Sequence, residues 1–310
     1  MGARCHRPES TGVVVGLRQG RSDLRASLPT VNARRAGLVL VFAIYGLLAL
    51  ALLGFLAPST FVGADLAVYQ RASRDLLEHG DPYFSAPAHL YQFQYRYPPM
   101  LAMLVVVIGW EPLWYVLMGT ALGWSLWNFV RQTGPAGFLP IVVLGGAWGQ
   151  ALLNGNVQSA MMALLALVPL HRRVGAVALA VATMVKLHPL LGIVWYAGRR
   201  DWGALRWYGL ACAVLLVVQA PWLVTFVRFY LTDEIASPFG EAGFGLRTIH
   251  PALWVGATLL VAVLAYRYSN SRWGWFLSIA LQLVALPRLL LTNLALVLVA
   301  PLRPRREIDA

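Results

Sequence analysis

The sequence predicts an all-α protein, a polytopic transmembrane helical bundle, and three observations carry that expectation. Of the 310 residues, 59% are hydrophobic and only 12% are charged. Mean hydropathy is +0.63, above what an ordinary soluble domain carries. The apolar residues gather in runs near 36–57, 112–130, 137–153, 156–170, 174–197, 205–231, 251–267 and 273–300, to be set against the roughly 20 residues that cross a bilayer as a helix. These runs and their breaks predict about eight to eleven transmembrane segments. The net charge of +12 then reports topology rather than nucleic-acid binding, because its arginines sit in tails and short loops that the positive-inside rule puts in the cytoplasm.

The segments follow in order. Residues 1–33 are polar and arginine-rich without a sustained apolar run, which predicts a disordered cytoplasmic tail and not a signal peptide. The membrane domain spans 34–302, and 303–310 form a second cytoplasmic tail. With Arg34 and Arg35 inside, the run 36–57 delivers a first outer loop of about 58–98, holding Asp65, Asp75, Glu78 and Asp81. Within it, Leu66, Tyr69, Ser73, Leu76 and Leu77 recur at helical spacing and Gly80 follows as a stop, predicting an amphipathic helix on the membrane surface. Asp65 opens that helix. Two readings fit it, an N-cap or a general base at the membrane–water boundary. The segment Tyr95-Arg96-Tyr97-Pro98-Pro99 either stacks on sugar faces or anchors at the interface. Residues 99–109 are short for a span, and the region 98–156 resists a clean count.

Lys186 is the only lysine among 25 lysines and arginines. It lies inside the apolar run 174–197, where a cation costs several kcal/mol unless it faces protein, water or an anion. A snorkelling lysine is the bland alternative. His171-Arg172-Arg173 and Gly198-Arg199-Arg200 both belong inside, yet a single run separates them, and it breaks at Leu187-His188-Pro189. Two short helices meeting at the outer side satisfy both signals and place Lys186 and His188 there. Leu286-Pro287-Arg288 interrupts the run 273–300 in the same way and puts Arg288 outside. Cys5 and Cys212 form no disulfide framework, and no histidines pair at a metal-ligand spacing.

Several of these elements together resemble a family. Gly63-Ala64-Asp65 opening a helix with Tyr69, then Gly80-Asp81-Pro82-Tyr83 and Tyr95-Arg96-Tyr97-Pro98-Pro99, are similar to the polyprenyl-phosphate-sugar-dependent GT-C glycosyltransferases, and most of all to glycosyltransferase family 87 with its α-mannosyltransferases. Gly155-Asn156-Val157-Gln158, Gly175 followed by Lys186-Leu187-His188-Pro189, and Leu286-Pro287-Arg288 match later family elements in order. The likeness covers about 36–302. The chain departs where some members carry histidines after the late proline, since it reads Arg288-Leu289-Leu290-Leu291-Thr292-Asn293.

The resemblance implies a GT-C-like, multi-pass enzyme of a bacterial plasma membrane with an extracytoplasmic active site. Its donor is a sugar, mannose first, on a polyprenyl phosphate, and its acceptor is a lipid, glycan or protein. Asp65 matches the catalytic base of an inverting displacement. Lys186, Arg288, His188 and Arg96 are the candidates for the donor phosphate. Tyr69, Tyr95, Tyr97, Asn156 and Gln158 are the candidates for sugar or acceptor. No metal or other cofactor and no nucleic-acid partner is expected. The competing reading is a transporter or flippase for an anionic lipid or small solute, which also explains an intramembrane lysine and broken helices.

Overall fold

A computed structural model describes residues 62–85, 94–231, 245–287 and 289–303. The N-terminal tail, the run 36–57, Arg288 and residues 304–310 lie outside the described residues. Among the described residues the fold is all-α, without a strand.

Helix α1, Ala64–His79, begins at Gly63, whose φ of 73° and lack of a side-chain cap set it apart from a polar N-cap. The amides that a helix start leaves unpaired are taken by a distant segment. Gly63 N–H donates to Leu153 O at 3.0 Å, Asp65 N–H to Asn154 O at 3.0 Å and Leu66 N–H to Asn154 O at 3.2 Å. Gly80 ends the helix in the left-handed region (φ 72°), with its N–H on Leu76 O, as the sequence predicts. The buried face differs from the expected stripe. Leu66, Val68, Tyr69, Ala72, Ser73 and Asp75 are buried, whereas Leu77 is 68% exposed. Apolar spacing alone does not tell a face that meets protein from one that meets lipid, and Asp75 sits inside because Ser85 donates to its carboxylate through both its backbone N–H and its hydroxyl.

Two prolines open the next pair, α2 (Pro99–Ile108) and α3 (Glu111–Thr133), where a missing N–H costs nothing. Between them the chain bends by 114°. Gly109 sits at this bend, and a Cβ there would lie 2.3 Å from Val105 O. A 3₁₀ turn, Gly134–Gly137, leads into α4 (Phe138–Val143) and α5 (Gly145–Leu153).

Helices α6 (Gln158–Leu170) and α7 (Arg172–Val185) form a tight pair. Gly175 permits it, because a Cβ at that position would meet Leu167 O at 2.6 Å. At Lys186 the backbone turns extended and a 3₁₀ turn, His188–Gly192, precedes α8 (Ile193–Gly198). The run 174–197 is therefore two short helices around a proline break. Asp201 caps the long α9 (Trp202–Phe229) by accepting from Ala204 N–H at 3.0 Å, and it also pairs with Arg172 at 2.5 Å. The remainder is the single turn α10 (Leu246–Ile249), α11 (Pro251–Arg267), α12 (Gly274–Val284) and a 3₁₀ segment, Leu291–Val299. Tyr69, Leu101, Trp114, Met161, Leu179 and Leu296 are among the largest fully buried side chains.

Among the described residues one helix is long and apolar enough to cross a membrane, Trp202–Arg228, at a mean hydropathy of 2.2 with only 11% of that stretch buried. The bent pair Pro99–Ile108 and Glu111–Val143 passes the same test together, while Gln158–Leu170, Pro251–Arg267 and Gly274–Val284 are apolar but shorter. Fewer long helices result than the expected count because hydropathy sums apolar residues across breaks. Pro189, Pro287 and the left-handed Gly134 interrupt the helices that those residues would otherwise extend.

Candidate active site

The site is assembled at the start of α1 and the start of α6, two points 91 residues apart in sequence. The turn Leu153–Val157 joins them. Its carbonyls hold the α1 amides, and Gly155 stands at φ +67° with room for nothing larger, since a Cβ there would lie 2.7 Å from Leu66 Cβ. From α3, Trp114 donates its indole N–H to Gly155 O at 2.8 Å and Tyr115 its hydroxyl to Leu153 O at 3.0 Å. Gly155→Ala combines left-handed strain with a backbone-level clash, an expected loss of about 1–3 kcal/mol. A lower Tm together with diminished sugar transfer would be the measured result.

Asn156 links the two halves. Its Oδ1 accepts from Gln158 N–H at 2.8 Å, an Asx-type cap of α6, and its Nδ2 donates to Asp65 Oδ2 at 2.8 Å. The backbone bond fixes which end of the amide faces the carboxylate. Gln158, fully buried, accepts at Oε1 from Lys186 Nζ at 3.0 Å. The Asp65 carboxylate and the Asn156 amide are thus joined to the backbone N–H of Gln158, whose own side chain carries the link on to the ammonium. Lys186 Nζ also stands 5.5 Å from the centre of the Tyr97 ring, a cation–π contact. The Tyr97 hydroxyl accepts from Tyr69 at 3.1 Å, and Tyr69 packs edge-on against both Tyr97 and Trp114.

Asp65 keeps partial exposure, while the side chains around it strip water from its carboxyl. Burial raises its pKa above the ordinary carboxylate value. The hydrogen bond from Asn156 and the charge of Lys186 pull the other way and do not cancel it. A base with a raised pKa is better matched to neutral pH than a free carboxylate. The structure leaves polar atoms beside this chain unpaired. Gln158 Nε2 and His188 Nε2 are buried and make no hydrogen bond, so both are free for a polar ligand.

Of the residues expected at the site, Asp65, Tyr69, Tyr97, Asn156, Gln158 and Lys186 come together, with His188 two residues past the lysine. Tyr95 is differently employed. Its hydroxyl donates to Pro98 O at 2.8 Å and accepts from Ala102 N–H at 2.9 Å, which fixes the start of α2. Arg96 donates to Gln94 Oε1. Arg288 is outside the described residues. Sequence reasoning missed Trp114 and Tyr115, which give no signal distinguishable from interfacial aromatics. Elsewhere in the core it also passed over Gln282, Thr292 and Asn293, all buried, with both polar atoms of Gln282, Thr292 Oγ1 and Asn293 Oδ1 unpaired. Three polar side chains in the apolar run 273–300 were the available signal.

An all-α scaffold that brings a half-exposed, hydrogen-bonded aspartate at the start of α1 and a half-buried lysine at the end of α7 into one cluster suits transfer of a group from an anionic leaving group. The comparison with known families gives that class a name, for residues 95–310 match the family model described as glycosyltransferase family 87. The chain is a glycosyltransferase, an enzyme that takes a sugar donor and an acceptor. It belongs to glycosyltransferase family 87. The match begins at Tyr95 and so covers Asn156, Gln158 and Lys186 but not Asp65. A search of curated proteins returned no match.

Proposed function

We propose that this glycosyltransferase moves a hexose, mannose in the first instance, from a polyprenyl-phosphate donor to a lipid, glycan or protein acceptor on the extracytoplasmic side of a multi-pass membrane bundle. The observation that supports the reading best is the hydrogen-bonded chain from Asp65 through Asn156 and Gln158 to Lys186. A proton acceptor and a cation are the two groups that a phosphate-leaving displacement needs. The acceptor oxygen attacks the anomeric carbon and its proton passes to the Asp65 carboxylate. The bond from that carbon to the phosphate oxygen breaks on the opposite side, with inversion, and the electron pair leaves with the phosphate. Lys186 meets the charge that develops there. Phosphate is already a good leaving group, so one carboxylate suffices where glycoside hydrolysis uses two. Gln158 Nε2 and His188 Nε2 are the free donors for sugar hydroxyls or phosphate oxygens.

The membrane reading is supported by α9 and by the exposed apolar faces of the shorter helices, among them Leu253, Leu259 and Leu260 on α11. Broken helices at membrane depth are tolerated where they line a cavity, and the break at Lys186 lies beside the site.

Radiolabelled polyprenyl-phosphate-mannose and a membrane lipid extract, added to membranes containing the full chain, test the proposal. Label in a new lipid or polymer is the expected outcome. Transfer only from the glucose or arabinose analogue would correct the sugar. Transfer from a nucleotide sugar but from no polyprenyl-phosphate donor would overturn the donor class.

A further inference from the structure

A second cation cluster lies at the opposite end of α7. That helix has 14 residues, which at 1.5 Å per residue separates Lys186 from Arg172 by about 20 Å. Around Arg172 and its partner Asp201 the helix ends and loops carry Arg173, Arg199, Arg200, Arg206, Arg267 and Arg272. The one carboxylate in these loops, Asp201, is already engaged by Arg172 and by the start of α9. Between the end of α8 and the end of α11 an open cleft of about 580 Å³ is lined by Arg199, Arg200, Arg267, Tyr266 and Asn270.

Three features distinguish this cleft from a solvated basic loop. The first is the backbone at Arg200. Asp201 N–H donates to Tyr196 O and Arg200 N–H to Ala197 O, both at 3.0 Å, the pair of bonds that ends a helix with a left-handed residue, usually glycine. Arg200 occupies that position at φ 54°, the one non-glycine residue with positive φ among the described residues. A guanidinium stands where conformation favours no side chain. The second is that Arg199 is held in place, 4.9 Å over the Trp195 ring and donating to Ser269 O at 3.5 Å. The third is Ser269 itself, 1% exposed, whose hydroxyl makes no hydrogen bond and packs against Gly198 at the cleft wall.

We propose that this cleft binds the phosphate of an anionic membrane phospholipid, on the face of the bundle opposite the sugar-transfer site. The lipid source follows from what adjoins the cleft. Val263 lines it, and from there the outer face of α11 continues through Leu260 and Leu259, each at least 60% exposed, a surface for acyl chains directly beside the arginines. Tyr266, 53% exposed, sits between the two as interfacial aromatics do. Basic pockets of this composition on the cytoplasmic side of membrane helices suit phosphate headgroups.

The test uses the full chain in detergent micelles doped with phosphatidylglycerol or phosphatidylcholine, read by native mass spectrometry and by Tm. Phosphatidylglycerol is expected to bind and raise Tm, and phosphatidylcholine is not. Arg200→Gly relieves the left-handed strain, so its Tm in phosphatidylcholine should be no lower than wild type while its phosphatidylglycerol affinity falls about fivefold. Arg267→Gln should lose a similar factor. Arg173→Gln, on the same side but outside the cleft, should bind as wild type does. Unchanged affinity in Arg200→Gly and Arg267→Gln, or an equal loss in Arg173→Gln, overturns the site. A Tm rise from inorganic phosphate equal to that from phosphatidylglycerol would overturn the lipid as its occupant.

Discussion

Asp65→Asn is expected to lower sugar transfer by about 10²–10⁴-fold and to leave the fold intact. The amide has the shape of the carboxylate and still accepts the hydrogen bond that Asn156 Nδ2 donates at 2.8 Å, but it takes no proton from an acceptor hydroxyl. Burial holds the Asp65 pKa above its ordinary value against the opposing pull of Asn156 and Lys186. The folded state therefore binds this proton more tightly than the unfolded state does. As pH rises from the unfolded pKa through the folded one, ionisation of Asp65 removes stability. At neutral pH the substitution deletes a costly buried charge, so Tm should be equal to wild type or higher. The acid limb of kcat/KM in the wild type should lie above the free-carboxylate range of about 4, and it should vanish from the residual rate of Asp65→Asn. Wild-type turnover in the variant would remove Asp65 from the mechanism. A retained acid limb would assign that titration to another group.

Lys186→Met is expected to cut turnover by about 10²–10³-fold, the size typical of losing one preorganised group at a developing charge, and to raise the KM for the lipid-phosphate donor as well. The ammonium faces two neutral partners, Gln158 Oε1 at 3.0 Å and the Tyr97 ring at 5.5 Å. Neither neutralises it. A cation held this way is available to an anionic substrate. Methionine keeps the length and the apolar stem, so a lower kcat with a higher donor KM and no fall in Tm separates phosphate binding from packing. Arginine at the same position should rescue poorly, because its planar fork does not reproduce the single bond to Gln158. Unaltered donor KM and kcat in Lys186→Met would mean that the phosphate is held elsewhere.

Local grammar was well read from the sequence, and tertiary pairing was not. Gly80 and the break at Leu187-His188-Pro189 announce themselves because glycine and proline act through their own backbone. The isolation of Lys186 in an apolar run was equally visible, and the structure sets that residue against Gln158 and Tyr97. Asp65 was harder. An acidic residue near a helix start reads as a cap, yet the start belongs to Gly63, and its amides are satisfied by carbonyls some 90 residues on. No local pattern encodes that partner. Asn156 is expected from the resemblance to meet sugar or acceptor, and the structure uses its oxygen to accept from Gln158 N–H at the start of α6 and its nitrogen for a bond to Asp65. The stripe on α1 was read with Leu77 on one apolar face lying on the membrane surface, because helical spacing fixes which residues share a face and leaves open what that face touches. Tyr95 looked available for a sugar, and only the fold shows its hydroxyl bonded at both ends.

The turn that clamps α1 also governs when the enzyme becomes an enzyme. Asp65 leaves the ribosome long before Leu153 and Asn154, whose carbonyls hold its helix, and before Asn156, which orients its carboxylate. Until that later stretch is made and docked, the amides at Gly63, Asp65 and Leu66 have no protein partner, and the carboxylate has neither its amide donor nor the lysine beyond it. A chain halted before Gly155 thus carries Asp65 without these partners. Assembly of the candidate site consequently waits on synthesis through Lys186.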